Sequence, residues 1–184
     1  MTRWNIDPLH TEVGFAVKHL MVASVKGRFH HVDAEIEIDE EQPERSNVVA
    51  RIETASIDTR SADRDAHLRS DDFFASERFP LMTFRSTSVR RTNERTFALT
   101  GDLTIRDVTR PVTLAGTIAG PITDPYGGRR AGIEITGEID REAWGLTWNM
   151  GLEAGGVLVG KTVKLAIEGE IVQAAAEAEE EAAA

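Results

Sequence analysis

Residues 163–171 read Val163-Lys164-Leu165-Ala166-Ile167-Glu168-Gly169-Glu170-Ile171, and every odd-numbered position in this stretch is apolar or glycine. Three of the four positions between them carry a charge. Successive side chains of a β-strand point to opposite sides, so a period of two places all the apolar side chains on one face. The stretch therefore predicts a strand with one dry and one wet face, as antiparallel sheets permit.

The same period of two recurs along most of the chain, with turn residues between the segments. The apolar positions of these segments are Val13, Phe15 and Val17; Val32, Ala34, Ile36 and Ile38; Val48, Ala50 and Ile52; Met82 and Phe84; Phe97, Leu99, Leu103 and Ile105; Val112, Leu114 and Ile118; and Ala131, Ile133, Ile135 and Ile139. We count about eight strands in hairpin order, a number that closes into an antiparallel barrel. The sequence therefore predicts an all-β protein.

Four glycines stand among these apolar positions, at Gly101, Gly116, Gly137 and Gly169. A small residue on the inner face of a strand leaves room that a larger side chain would take. We expect these positions to leave interior volume unfilled, since a barrel of this strand number either fills with side chains or holds one ligand.

The alternation stops between residues 61 and 80. Apolar residues there favour one or two short helices, with Ser70 as a candidate N-cap. Six titratable side chains crowd the same region: Arg60, Asp63, Arg64, Asp65, His67 and Arg69. They form either a solvated helix face with local ion pairs or a polar lid over one end of the barrel.

The chain has 184 residues, and its 21 Lys and Arg against 31 Asp and Glu give a formal charge of −10. This length suits one domain, which we place at residues 1–172. Residues 173–184 contain only Ala, Glu and Gln and are expected to form a frayed or disordered acidic tail. The negative charge disfavours nucleic acid and anionic membrane surfaces as partners, because both repel an acidic protein.

Three further absences in the sequence narrow the class of protein. Cysteine is absent, which removes disulfides, thiolate nucleophiles and cysteine metal sites. No apolar leader is visible at the N-terminus, and the longest uncharged stretch, residues 111–123, is too short to span a bilayer. We therefore expect a cytoplasmic protein that does not span the membrane.

One stretch matches the phosphate-binding pattern G-x-x-x-x-G-K-[ST] at every fixed position: Gly155-Gly156-Val157-Leu158-Val159-Gly160-Lys161-Thr162. That loop works only when a helix follows it, because the amides of the helix N-terminus hold the phosphates. The alternating residues 163–171 follow here instead, so we interpret the match as a glycine-rich turn before the last strand.

The five histidines are the candidates for a metal site: His10, His19, His30, His31 and His67. His30 and His31 are adjacent, so on a strand they point to opposite faces and cannot share an ion. His10 and His19 flank the first strand, and Glu12 or Asp65 could complete a mixed site, but no compact ligand spacing appears. We predict no metal and no cofactor.

Several segments resemble the YceI-like polyisoprenoid-binding proteins, and the resemblance extends from Trp4 to Val172. The opening residues 4–15 look like the family's first strand, and residues 56–59 with 64–74 look like its most distinctive stretch. Residues 101–112 resemble a family hairpin, with Asp107 where glycine is commoner. Residues 141–149 resemble the family's R-x-x-F-G block, with Trp144 in place of phenylalanine.

The resemblance implies an eight-stranded antiparallel lipocalin-like β-barrel that binds a long-chain isoprenoid lipid, such as a quinone tail or a polyprenyl phosphate. It implies a carrier or sequestering protein rather than an enzyme, and a possible homodimer. The apolar lining is then expected from Val13, Phe15, Val17, Leu99, Leu114, Ile133, Val163, Leu165, Ile167, Phe73, Phe74 and Trp144. The polar end is expected from Arg64, His67, Arg141 and Asn149.

Two alternatives remain open from the sequence. The first is an enzyme that acts on such a lipid and uses His67 with Asp65 as an acid–base pair. The second is a barrel whose interior is filled and has no ligand cavity, because alternation predicts an apolar interior without showing whether it is full.

Overall fold

A computed structural model describes residues 1–153 and 155–175. Within these residues the chain forms eleven strands and one α-helix. The strands are β1 Thr2–Ile6, β2 Glu12–His19, β3 Ala23–Phe29, β4 Val32–Ile38, β5 Asn47–Glu53, β6 Ile57–Asp58, β7 Leu81–Arg91, β8 Thr96–Ile105, β9 Val108–Thr123, β10 Arg129–Asp140 and β11 Val159–Gln173. The helix α1 is Ala62–Arg69, and short 3-10 turns occupy Pro43–Arg45, Thr54–Ser56 and Arg141–Trp144.

Eight of the strands close into an antiparallel ring. Its order is β1-β4-β5-β7-β8-β9-β10-β11, and β11 returns to β1 through the pairs Trp4↔Gln173 and Ile6↔Ile171. The prediction of an eight-stranded antiparallel barrel is confirmed. A closed ring leaves no open edge along these pairings for another chain to join.

The three extra strands arise because three long barrel strands are each interrupted. β11 pairs with β1 at residues 171–173 and with β2 along residues 163–168, so β1 and β2 are two parts of one barrel strand. In the same way, β3 and β4 are two parts of the next barrel strand, because β3 pairs with β2 and β4 pairs with β1. β5 and β6 are two parts of the strand after it, because β5 pairs with β4 and β6 pairs with β3. Counted this way, eight long strands follow one another around the barrel in chain order.

The two ends of the barrel differ. One end, here the helix end, holds the β2–β3 turn, α1, the β8–β9 turn and the long connection from β10 to β11. The other, the Trp4 end, holds the β7–β8 and β9–β10 hairpins and is filled by Trp4, which is 1% exposed among Ile36, Ala131 and Ile171. We therefore expect a ligand to enter the interior at the helix end.

The segment between residues 61 and 80, where the alternation stops, contains one α-helix rather than two. Ser61 precedes α1 and Ser70 follows it as the C-cap residue, so the prediction of Ser70 as an N-cap is wrong. The Ser70 hydroxyl donates to the carbonyl of His67 over 2.7 Å, which satisfies a carbonyl at the end of the helix. After Ser70 the described chain makes turns until β7 begins at Leu81.

The last strand ends at Gln173, and the amide of Ala174 donates to the carbonyl of Arg3 over 2.9 Å. The remainder of the predicted acidic tail, residues 176–184, lies outside the described residues. Among the residues described, no helix is both long and apolar enough to cross a membrane.

Candidate functional site

An apolar cavity of about 230 Å³ lies inside the barrel. Its wall presents apolar atoms only, and the strand residues alternate in and out as the period of two predicts. The lining residues from the barrel strands include Ile6, Val13, Phe15, Val17, Val32, Ala34, Ile36, Ala50, Ile52, Met82, Phe84, Leu99, Leu103, Val112, Leu114, Ile133, Ile135, Ile139, Val163, Leu165 and Ile167. The interior is thus not completely filled by side chains.

All nine strand residues expected in the lining do line this cavity, and Phe73 and Phe74 join them from the turns after α1. Trp144 does not. It is 3% exposed and packs in the core near Ile105, with its indole Nε1 donating to the carbonyl of Leu103 over 3.0 Å. That hydrogen bond fixes the ring beside the barrel end instead of in the cavity wall.

The expectation that four glycines leave empty volume is wrong, because neighbouring side chains occupy the space. A Cβ at Gly101 would lie 2.4 Å from Cζ of Phe84, and one at Gly116 would lie 2.2 Å from Cζ of Phe97. Leu114 fills the space at Gly137 in the same way, and Thr11 fills it at Gly169. The glycines make room for neighbouring side chains, so their role is packing rather than cavity formation.

A row of aromatic rings crosses the helix end of the cavity. The ring centroids of Phe15 and Phe29 are 5.7 Å apart, and those of Phe29 and Phe74 are 5.8 Å apart. Phe73 continues toward Trp148 at 5.5 Å. These separations lie in the favourable range for aromatic pairs, and we call these five rings the aromatic floor.

The four polar residues predicted for the ligand's polar end all lie at the helix end, but they do not form one cluster. Arg64 donates to Oγ1 and to the carbonyl of Thr59, both over 2.8 Å. His67 lies 2.8 Å from Oδ2 of Asp72. The His67 ring also stacks edge-on against Trp148 at 4.5 Å. Both residues are therefore held on α1, outside the cavity lining.

Arg141 and Asn149 act together on the connection that leads into β11. Arg141 is 5% exposed, and its guanidinium donates to the carbonyls of Gly160 (2.9 Å), Val159 (3.3 Å), Trp148 (3.1 Å) and Leu146. Asn149 donates to the same Val159 carbonyl over 2.7 Å. Burial lowers the pKa of Arg141. Because the cavity wall is apolar, Arg141 contributes its aliphatic stem to the lining and its charged head to the connection.

The acid–base pair suggested for an enzyme is not formed. Oδ1 of Asp65 accepts from the amide of Thr59 (2.9 Å) and from its hydroxyl (2.6 Å), so this buried carboxylate faces the β6–α1 connection. His67 pairs with Asp72 instead. Asp65 and His67 are two residues apart on a helix and therefore point in different directions.

The phosphate-binding pattern also lacks its required structure. Residues 155–158 belong to the connection, and the strand β11 begins at Val159 and includes Lys161 and Thr162. No helix follows the pattern in the described chain, and Nζ of Lys161 lies 2.7 Å from Oε2 of Glu142. The interpretation as a turn before a strand agrees with this geometry.

One group of possible metal ligands, unforeseen in the sequence, consists of Asp7, His10 and Glu170. Arg130 already occupies it, since its Nη1 lies 2.8 Å from Oδ2 of Asp7 and 3.3 Å from Oε2 of Glu170. Hydrogen bonds from His10 and Arg130 lower the pKa of Asp7 to about 2. The hydrogen bond to Asp7 raises the pKa of His10. The cluster is thus an ion-pair network that joins the β1–β2 connection to β10 and β11.

The family model of the YceI-like domain matches residues 4–171. UPF0312 proteins of Staphylococcus epidermidis and Staphylococcus aureus are 37% identical over 165 residues, which cover 89% of this chain and 94% of each relative.

Solved structures share the fold. The Campylobacter jejuni YCEI protein superposes with a TM-score of 0.75 at 29% identity and covers 86% of this chain and 90% of its own. Burkholderia cenocepacia BcnA reaches 0.77 at 19% identity, with coverage of 90% and 98%. A polyisoprenoid binding domain from Saccharophagus degradans reaches 0.68 at 12% identity, with coverage of 95% and 100%. At 19% and 12% identity, the similarity to these last two structures shows a shared fold and nothing more.

Proposed function

The chain belongs to the YceI-like domain family, and from that premise we propose that it binds a long-chain isoprenoid lipid inside its barrel as a carrier or sequestering protein. The observation that carries the proposal is the cavity, whose wall is apolar throughout and to which every barrel strand contributes. A structural neighbour with the same fold is described as a polyisoprenoid binding domain, so the fold is compatible with this class of ligand.

The driving force is the burial of apolar surface, which contributes about 25 cal/mol per Å². A tail that buries roughly 400 Å² gains about 10 kcal/mol before the cost of association is subtracted. An apolar tail needs no hydrogen bonds from the wall, so the absence of polar atoms there costs it nothing. The same wall excludes polar metabolites, because they would lose their hydrogen bonds to water.

The cavity volume sets a condition on the bound state. A volume of about 230 Å³ lies below the ~300–1,000 Å³ of typical ligand pockets. A long isoprenoid therefore requires side chains to move, and the half-buried Phe15 and Phe74 line the cavity near its helix end. We take rotation of these two rings as the step that admits the tail.

We infer that the polar head of the ligand lies at the helix end. Trp4 fills the opposite end, while Arg64, His67, Arg141 and Asn149 all belong to elements of the helix end. Of these, His67 on α1 lies over the aromatic floor through its contact with Trp148, so it is the side chain best placed to meet a quinone carbonyl or a phosphate.

Native mass spectrometry of the purified full-length protein tests the proposal. We expect an added mass that corresponds to an isoprenoid lipid, or uptake of one when a long-chain quinone or a polyprenyl phosphate is supplied. A bare mass with no uptake of either would refute it. Light scattering on the same sample tests the homodimer that the resemblance implies.

Two tryptophan substitutions provide a matched comparison. Ala50 lines the cavity on β5, whereas Ala115 is exposed on β9 and points outward. Ala50→Trp should fill the cavity and abolish lipid uptake, and Ala115→Trp should leave uptake unchanged. Thermal unfolding of both variants checks that each is folded. Equal uptake by the two variants would place the lipid outside the barrel.

A further inference from the structure

The turn between β2 and β3 carries three exposed apolar side chains at the helix end. Leu20, Met21 and Val22, here the apolar tip, are 41%, 59% and 84% exposed. The tip adjoins the cavity, because Val17 lies in the cavity wall only three residues earlier on β2.

The apolar surface continues from the tip into the connection before β11. The amide of Leu20 donates to the carbonyl of Leu158 over 2.8 Å, and the amide of Leu158 donates to the carbonyl of Met150 over 2.9 Å. Met150 is itself 56% exposed. Apolar groups from two neighbouring segments thus face water together beside the cavity.

The backbone of the tip is not the one that these residues prefer. Leu20 and Met21 have φ angles of 53° and 59°, and the amide of Val22 donates to the carbonyl of His19 over 3.1 Å. Two positive φ angles at the centre of a hairpin turn suit Asn-Gly and disfavour large side chains. Neither burial nor turn geometry accounts for leucine and methionine here, a combination typical of functional positions.

The stretch of sequence that carries the tip has a charge opposite to that of the whole protein. No acidic residue occurs between positions 13 and 32, although the chain as a whole carries −10. Lys18 and Lys26 flank the tip on β2 and β3, both are exposed, and neither forms an ion pair with a residue that the structure describes. The third cation of this stretch, Arg28, is engaged with Glu12 and Asp58.

We propose that the apolar tip inserts into an anionic lipid bilayer, with Lys18 and Lys26 at the headgroups, and so docks the helix end of the barrel on the membrane. The inference rests on the proposed function, since docking would let an isoprenoid pass between bilayer and cavity without crossing water. A projecting turn with a few apolar side chains and nearby lysines is suited to a fluid interface, where apolar burial and attraction to anionic lipids add together.

Vesicle co-sedimentation of the full-length protein tests the docking. We expect binding to vesicles of phosphatidylcholine with phosphatidylglycerol, weakened by salt, and about tenfold weaker binding to phosphatidylcholine alone. Lys18→Gln with Lys26→Gln should remove most of that difference. Equal binding of the native protein to both vesicle types would overturn the role of the lysines.

The variant Leu20→Asn, Met21→Gly, Val22→Ser tests the tip without endangering the fold, because Asn-Gly suits the turn better than Leu-Met does. We expect it to lose vesicle binding about tenfold or more while its thermal stability is kept or raised. The control is Ile122→Ser with Tyr126→Ser, which removes two exposed apolar side chains from the Trp4 end (65% and 95% exposed) and should change nothing. Unchanged binding by the tip variant would refute the proposal.

A lipid-uptake measurement on the same variants separates the two proposals. A tip variant that still takes up a solubilised isoprenoid but no longer binds vesicles supports docking. Vesicle binding by a protein that takes up no isoprenoid would refute the proposed function and leave the docking supported. If the tip variant lost self-association in light scattering instead of vesicle binding, the tip would belong to a contact between two copies of the chain, and the docking would be refuted.

Discussion

Gly116 shows how a single missing Cβ determines packing inside the barrel. All three nearest atoms to an added Cβ belong to the ring of Phe97, at 2.2 to 2.8 Å. We expect Gly116→Ala to lower the free energy of unfolding by about 1–3 kcal/mol through overpacking, measured by urea denaturation. Phe97→Leu in the same chain should restore part of the loss, because it removes the clashing ring.

Gly132 supplies the control for that experiment. An added Cβ there meets only the Cβ of Ala119, at 3.9 Å, which is an ordinary contact. Gly132→Ala should therefore change the free energy of unfolding by less than about 0.5 kcal/mol. If the two alanine variants were equally stable, the ring of Phe97 would not be fixed over Gly116.

Asp7 gives the fold a defined sensitivity to acid. Its pKa is lowered from 3.8 to about 2 in the folded protein, so its ionised form stabilises the fold above pH 4 and that contribution is lost as the pH falls toward 2. We expect the free energy of unfolding to decline over this range and to decline less steeply in Asp7→Asn. Urea denaturation between pH 2.5 and 5 measures the slope, and identical slopes in both proteins would contradict the assignment.

His10 contributes in the opposite direction. Its pKa is raised above 6.5 by the hydrogen bond to Asp7, so the stabilisation is complete below pH 6.5 and is lost as the pH rises through the higher folded value. His10→Gln should therefore remove a small decline in stability on the alkaline side of neutrality, detectable in the same denaturation series. A native-like decline in that variant would show that another group causes it.

At the scale of elements, α1 depends on one buried carboxylate. Asp65 accepts two hydrogen bonds from Thr59 and so ties the helix to the end of β6. Since hydrogen bonds to a charged group contribute about 1.5–3 kcal/mol, we expect Asp65→Ala to lower the free energy of unfolding by at least about 2 kcal/mol. Asp63→Ala, at an exposed position of the same helix, should have little effect. Urea denaturation compares the two, and similar losses would show that Asp65 does not anchor α1.

The strands could be predicted from the sequence because each keeps its period of two. The interruptions that divide three of the barrel strands could not be predicted. Trp4 and Ile6 face inward from even positions, whereas Val13, Phe15 and Val17 face inward from odd ones. The change of parity occurs in the β1–β2 connection, where Asp7 bonds to the amide of Leu9 and to Arg130. The contact between Asp7 and Arg130 joins residues 123 positions apart, so no local pattern reveals it.

The candidate site likewise has a part that the sequence predicts and a part that it does not. Alternation alone predicts that Leu99, Leu165 and the other strand residues face inward. The position of Trp144 depends on a hydrogen bond to Leu103, and the space beside Gly101 depends on a ring from the neighbouring strand. Contacts of this kind depend on three-dimensional packing, which the periodicity does not encode.

At the scale of the whole molecule, ligand binding and stability are linked. A ligand that binds only the folded barrel, at 100 times its dissociation constant, raises the free energy of unfolding by about 2.7 kcal/mol. For a protein of this size that corresponds to an increase in Tm of about 5–10 °C. Differential scanning fluorimetry with a solubilised isoprenoid should show the increase in the native protein and not in Ala50→Trp. Equal increases in both would place the binding site elsewhere.

Net charge is a poor guide to the surfaces of this molecule. The net charge of −10 disfavours anionic membranes as partners. The stretch from residue 13 to residue 32, however, contains lysines, an arginine and histidines but no acidic residue. Interactions between exposed charges are screened beyond about 8–10 Å, so a docking surface responds to its own charges more than to those of the far side.

The pairing of β1 with β11 also constrains how the protein is made. β1 pairs with β11, so residues up to 173 must have left the ribosome before the ring can close. Contacts between distant parts of a chain form slowly, and unpaired strands are prone to aggregation while they wait. A nascent chain that ends before β11 lacks one wall of the cavity, so on the proposed function it could not yet enclose a lipid.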